Sequence, residues 1–228
     1  MIVHESDPIT LVGGAGLSDR VFDQALAHAS LVVAADSGAD RALAHSITPR
    51  AVIGDFDSIS QAARSALPEA ILHHIPDQDS TDFDKCLRSL TAPLILGVGF
   101  CGDRLDHQMA ACNTLVRHPA QRCVLLGETD LMFLCPPAIH LPLDAGCRVS
   151  LFPMGAVEGL SDGLQWPLRG LNFAPDGQIG TSNAATGPVH LTVTAPKMLL
   201  MLPVDRLDSV VTALADSAAR WPEGTNPR

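Results

Sequence analysis

Short apolar runs and amphipathic stretches take turns along the first 130 residues. The runs ITLVGG (9–14), LVVAAD (31–36), AVIGD (51–55), ILHHIP (71–76), PLILGVG (93–99) and RCVLLG (122–127) predict strands. Between them, helices are predicted near 18–29, 38–46, 60–67, 81–91 and 105–117. Strands that are apolar throughout and alternate with helices imply a mostly parallel, Rossmann-like sheet covered on both faces. Such a sheet takes its ligands beyond the carboxyl ends of its strands. Past about residue 130 the texture changes. Pro and Gly become frequent, and short runs recur as LMFLC, AIHLPL, CRVSLFPM, LQWPL, QIGTSN, PVHLTVT and KMLLMLP. Close spacing with turn residues between predicts an antiparallel sandwich or barrel-like sheet, with a closing helix over 205–220 and EGTNPR as a frayed tail. The expected division is therefore an α/β domain over 1–129 and an all-β sandwich over 130–228, with a linker near 129–137.

Composition narrows the function. With 228 residues, 46% of them hydrophobic and 18% charged, the chain is long and apolar enough to bury a core, which excludes a disordered chain. Its formal net charge of −10 makes nucleic acid a poor partner, while a small anion escorted by a cation is compatible. No apolar run approaches the roughly 20 residues that span a bilayer, so no membrane role is expected. MIVHESDPIT has neither the basic start nor the apolar stretch of a signal peptide. The six cysteines form no CxxC pair, and several lie in apolar runs, so they read as small hydrophobes in a reducing cytoplasm rather than as a zinc cage.

Acid is concentrated where the predicted strands end. Asp36 closes LVVAAD, Asp55 and Asp57 follow AVIG, and Asp82 opens TDFDKCLRSL. In a parallel sheet these positions share one rim, and alternation along an extended segment would point Asp55 and Asp57 to the same side. Carboxylates that close repel, and a divalent cation removes the conflict. Oxygen ligands without His or Cys suit Mg²⁺, which usually keeps waters and takes one or two carboxylates plus substrate phosphates. Helix capping is the alternative for Asp36 and for the T-x-x-D at Thr81–Asp84.

Two further segments carry candidate chemistry. In GFCGDRLDHQMA (99–110) a glycine turn runs from strand to helix, which lets backbone N–H groups approach a phosphate. Arg104 offers a planar fork for phosphate or a salt bridge to Asp103 or Asp106, and His107 is a helix-face residue or a ligand contact. In SDGLQWPL (161–168) and TSNAA (181–185), Trp166 is either core or a stacking platform, while Ser182 and Asn183 suit a turn.

Taken together, ADSGAD (35–40), GDFDSI (54–59), DQDSTDFDKCL (77–87), G-x-x-G-x-R-L-D-H (99–107), GLQW (163–166) and TSN (181–183) resemble thiamine pyrophosphokinase. The blocks keep that family's order over most of the chain, and GDFDS followed by DQDxTDF is the specific part. The resemblance implies ATP + thiamine → AMP + thiamine diphosphate, an α/β catalytic domain, a C-terminal β-sandwich, and a homodimer with active sites between subunits. It makes Asp55, Asp57 and Asp82 the Mg²⁺ ligands and, with Lys85 and Arg104, the catalytic set. It assigns Asp36, Gln78, Thr81, Arg104 and Asp106 to ATP, and Gln78, Asp106, Trp166, Ser182 and Asn183 to thiamine. A general base is not evident, with Asp36 and Asp106 as the candidates. Two positions depart from the pattern: Asp103 stands where a glycine is common in the turn, and Ser37 where a second glycine is common. The rival readings are a phosphatase that uses DFD as nucleophile and acid, and a thiamine- or nucleotide-binding regulator without turnover.

Overall fold

The computed structural model describes residues 1–16, 18–102 and 104–222; Asp103 and the EGTNPR tail lie outside the described residues. Two compact units divide the chain. One comprises Met1–Thr114 with Cys123–Glu128, the other Leu115–Arg122 with Thr129–Arg228.

The first unit runs β1 (Val3–His4), β2 (Ile9–Val12), α1 (Asp19–His28), β3 (Leu31–Ala35), α2 (Gly38–Ala44), β4 (Val52–Gly54), α3 (Gln61–Ala66), β5 (Leu72–His74), α4 (Asp82–Leu87), β6 (Leu90–Thr91), β7 (Ile95–Val98), α5 (Leu105–Arg117) and β8 (Cys123–Leu126). The boundary between the units falls within α5. The main sheet has the order β8-β7-β2-β3-β4-β5 with every pair parallel. Ile9, Leu11, Val12, Ile95, Leu96, Val98, Val124 and Leu125 are buried on its central strands, as apolar runs without alternation require. The one polar residue of β2, Thr10, is fully buried and donates its hydroxyl to Ala29 O at 2.6 Å. Helix α1 begins where Ser18 accepts from the Val21 N–H, and it turns Val21, Phe22 and Ala25 onto the sheet.

From β2 the chain steps to β3, β4 and β5 on one side, then returns to β7 and β8 on the other. The switch point therefore lies between β2 and β7, where such sheets open a crevice. Local departures from the sequence pattern are small. Helix α4 stops at Leu87, short of the expected 91, and Leu90–Thr91 pairs in parallel with Val3–His4 as a separate ribbon.

The second unit is antiparallel: β9 (Asp130–Leu134), β10 (Ala138–Leu141), β11 (Arg148–Pro153), β12 (Val157–Leu164), β13 (Asn172–Phe173), β14 (Gly180–Val193), β15 (Met198–Pro203) and α6 (Leu207–Asp216). The expected linker is mostly strand, since β9 pairs with β15 over Asp130–Leu134. QIGTSN and PVHLTVT belong to one strand rather than two. Strand β14 pairs with β11 near Asn183–Ala184 and with β10 over Val189–Thr192, while β12 follows it on the other edge. LQWPL is not a strand; β12 ends at Leu164 and the chain leaves the ladder there. Leu207, Val210, Ala213 and Leu214 form the buried face of α6.

Candidate active site

The acidic residues of the first unit do share the carboxyl rim of the sheet. Asp36 follows β3, Asp55 and Asp57 follow β4, and Asp82 is the first residue of α4. Asp36, Asp55 and Asp57 each offer an oxygen within 4.8 Å of the others. Strand alternation is not what brings Asp55 and Asp57 together. β4 ends at Gly54, and the intervening Phe56 sits at φ 62°, a left-handed conformation that bulky residues rarely adopt. Side-chain packing helps hold that turn. The Phe56 side chain packs on a cluster with Ala34, Ala39, Val52 and Leu67, and the Arg64 guanidinium lies 5.5 Å from its ring.

Asp36 is the organising carboxylate. It is 2% exposed, adopts φ 45°, and accepts from the Phe56 N–H at 2.7 Å and the Ser58 N–H at 3.2 Å. The capping alternative for it falls, because Asp36 spends its oxygens on the N–H groups of Phe56 and Ser58 rather than on α2, whose N-cap position is Ser37. Burial, and then the neighbouring charge of Asp82, push its carboxyl above the usual range, although the Phe56 N–H pulls the other way. Gly54 keeps this region open. A Cβ there would stand 2.9 Å from Asp36 Oδ2 and 3.2 Å from Asp82 Oδ1, so two carboxylates converge on a residue with no side chain.

Lys85, one turn into α4, is 1% exposed and donates to Asp55 Oδ2 at 2.7 Å and Asp82 Oδ1 at 3.0 Å. Burial alone would lower its ammonium; the hydrogen bonds to Asp55 and Asp82 outweigh this and hold it above the ordinary lysine range. The Lys85 hydrogen bond correspondingly keeps Asp55 ionised below the usual range. Gln78 donates to Asp55 Oδ2 at 3.1 Å, and Thr81 caps α4 by accepting from the Asp84 N–H at 3.3 Å. For Thr81 the cap and a place on the site hold together.

A cavity of about 450 Å³ opens beside this cluster, bordered by Asp36, Asp55, Asp82, Lys85 and Arg104. Its other wall was not evident as a functional segment: Gly13, Gly14, Ala15 and Gly16, the loop from β2 toward α1. This loop meets the turn after β7 at the switch point. A Cβ on Gly13 would stand 2.5 Å from Gly99 O, one on Gly14 2.1 Å from Ser37 Oγ, and one on Gly102 2.5 Å from Ala15 Cβ. Backbone thus approaches backbone at Gly13 and Gly99, and small side chains fill the neighbouring positions, leaving a rim suited to a phosphate. The signal was GGAG between a strand and a helix, the same pattern read at GFCG. Arg104 faces the cavity but carries a bidentate pair with Asp106, at 2.7 and 3.3 Å, both side chains exposed. His107 also borders the cavity.

In the second unit Trp166 is not core; it is 56% exposed. Ser182 is exposed at φ 62°, and Asn183 is buried at 6%. The six cysteines are free, and burial lifts the Cys101 thiol to about 11 and Cys135 to about 12, which suits apolar packing better than reactivity.

The donor set fits a hard divalent cation: the atoms are carboxylate oxygens that lie within 4.8 Å of one another, set beside a glycine cradle. Among the described residues no helix is long and apolar enough to cross a membrane.

Comparison with known proteins agrees in both units. Residues 22–125 match the thiamin pyrophosphokinase catalytic domain and residues 138–198 the vitamin B1 binding domain of thiamin pyrophosphokinase. Thiamine pyrophosphokinase 1 of Arabidopsis thaliana is 32% identical over 190 residues, covering 68% of this chain and 71% of that protein. Thiamine pyrophosphokinase 2 of the same plant is 29% identical over 208 residues, covering 76% and 77%. The crystal structure of yeast thiamin pyrophosphokinase superposes with a TM-score of 0.72 at 18% identity, covering 89% of this chain and 88% of that one, a likeness of fold. With a two-domain match in the order the motifs had indicated, this chain belongs to the thiamine pyrophosphokinase family.

Proposed function

We propose that this protein transfers the diphosphate group of ATP to the hydroxyl of thiamine, giving thiamine diphosphate and AMP, with Asp36, Asp55, Asp57 and Asp82 as the Mg²⁺ and phosphate rim. Family membership supplies the activity and ATP as co-substrate. The observation that carries the site assignment is the convergence of Asp36, Asp55 and Asp57 within 4.8 Å beside the glycine-walled cavity.

The thiamine oxygen attacks the β-phosphorus in line as its hydroxyl proton passes to a base, for which Asp36 and Asp106 are the candidates. The bond from that phosphorus to the oxygen bridging it to the α-phosphorus breaks, and that oxygen leaves on AMP. Such transfers depend on positioning and charge rather than on covalent work by the protein. Held by Asp55 and Asp57, with Asp36 and Asp82 on the same rim, Mg²⁺ would supply the positive charge that the phosphate oxygens need. Lys85 holds Asp55 and Asp82 in place through two hydrogen bonds, and Arg104 offers its fork to the phosphates after exchanging Asp106. Gln78 orients Asp55, and the backbone of Gly13–Gly16 and Gly99–Gly102 makes room for the phosphates. Trp166 presents a flat face for thiamine, with Ser182 as a polar contact from the same unit. The active form is a homodimer with active sites at the subunit interface, located in the cytoplasm.

Incubation with ATP, thiamine and Mg²⁺, followed by chromatography, tests the reading. AMP and thiamine diphosphate appear together, and chelation of the metal stops both. Asp55→Asn and Asp57→Asn each lower turnover by about 100-fold or more, as loss of a charge-stabilising group does. Release of ADP instead, or near-normal turnover of both variants at saturating Mg²⁺, contradicts it.

A further inference from the structure

Asn183 belongs to the segment that the thiamine reading assigns to the substrate, yet its side chain is spent inside the protein. The Trp166 N–H donates to Asn183 Oδ1 at 3.2 Å, and Asn183 Nδ2 donates to the Trp166 carbonyl at 2.8 Å. The Ala184 N–H also donates to Oδ1, at 2.9 Å. A carboxamide has the shape and polarity of a peptide group, so Asn183 pairs with both backbone groups of Trp166 as a neighbouring strand would. The chain needs this substitute there. β12 has ended at Leu164, after a register shift that includes Gly163 at φ 79°, so Trp166 has left the ladder. Gln165 still donates to Ala184 O at 2.8 Å, and the next rung is made by a side chain.

The inward aim of Asn183 has its own cause. Ser182 sits at φ 62° in a bulge of β14, where its N–H donates to Ser150 Oγ at 3.0 Å. The extra residue turns Ser182 outward and Asn183 under the loop, which is why one is exposed and the other 6% exposed. What the bracket displays is a large indole, 56% exposed, on a backbone tied at three points. An exposed indole on a fixed backbone has less conformational freedom to lose, and such preorganisation lowers the ordering cost of binding.

We propose that Asn183 is a positioning residue for thiamine, not a contact: it holds the backbone of Trp166 so that the indole is set in advance for the flat substrate. This rests on the reading that Trp166 is the thiamine platform. Trp166 and Trp221 are the only two tryptophans, so a W221F background leaves one reporter. In that background Asn183→Ala lowers the fluorescence anisotropy of Trp166 and raises KM for thiamine by about tenfold, the scale of a lost hydrogen-bond pair, while KM for ATP stays put. In a cycle with Trp166→Ala, the double variant binds thiamine no more weakly than Trp166→Ala alone, because Asn183 acts only through that ring. Asn183→Asp keeps the two accepting contacts and loses the Nδ2 donor; it shows the same pattern and serves if the alanine variant does not fold. Losses that add in the cycle would show that Asn183 touches thiamine itself and overturn the proposal. So would unchanged anisotropy and unchanged thiamine KM in Asn183→Asp. If Asn183→Ala frees the indole while Trp166→Ala leaves thiamine KM unaltered, the bracket stands and the platform reading is the one that fails.

Discussion

Lys85→Met removes a cation buried among the acids of the rim while keeping most of the side-chain volume. Its ammonium stands 2.7 Å from Asp55 and 3.0 Å from Asp82, with the lysine 1% exposed and the two carboxylates 11% and 29%. At an effective dielectric near 20, charges at those separations attract by roughly 6 and 5.5 kcal/mol. Much of that is cancelled by the cost of taking the ammonium out of water, which the variant also escapes. Breaking a buried pair by deleting one partner costs about 3–5 kcal/mol, and the partial exposure of Asp82 places this case near the lower end. Spread over a unit of about 120 residues, roughly 3 kcal/mol lowers Tm by about 10 °C. The assay is thermal denaturation of parent and variant, with the metal chelated and with excess Mg²⁺. Without metal the variant melts lower by that amount; with Mg²⁺ the gap narrows, because a bound cation answers the same surplus of negative charge. A variant that melts within ~2 °C of the parent under both conditions would refute the claim that Lys85 holds this rim together.

Gly38→Ala places a Cβ 2.0 Å from Val12 O, a backbone atom that cannot yield, whereas Gly16→Ala meets nothing within 4 Å. Denaturation should therefore show Gly38→Ala failing to fold or losing several kcal/mol, with Gly16→Ala within about 1 kcal/mol of the parent. Ser60→Ala deletes the oxygen that accepts the Ala63 N–H at 3.0 Å at the start of α3, and urea titration should show a loss of about 1 kcal/mol. Asp77 is held down to about 2, first by the Asp79 N–H, then by Ser80 and Arg88. Because the folded value lies below the unfolded one, the stabilisation is present above the unfolded value, near pH 4, and fades as pH falls through about 2. Melting curves of Asp77→Asn should accordingly lie below the parent's at neutral pH and converge with them near pH 2.

Much of this protein is written in local order. Apolar runs without alternation at 9–12, 31–35, 95–98 and 123–126 determined a buried parallel sheet, because only strands covered on both faces tolerate that pattern. Closely spaced short runs with turn residues between them after residue 130 determined an antiparallel region, and the spacing of GDFDS and DQDSTDFDK determined the family. Each of these is a periodicity or a string of neighbours, legible without knowing what lies across the fold.

The tertiary structure decided which residues meet. GGAG at 13–16 gains its meaning only when β2 and β7 become neighbours at the switch point and their loops pack backbone to backbone. Asp55 and Asp57 converge through a left-handed turn at Phe56, whose anchor is a cluster built from β3, α2 and β4. Lys85 is three residues from Asp82 in the chain, but its second partner, Asp55, lies thirty residues away. A bulge that turns Asn183 beneath Trp166 depends on register between β11 and β14, which no single strand specifies. Period and composition are properties of a segment; register, handedness of a turn and the burial of a charge are properties of the segment's neighbours, and folding is what chooses them.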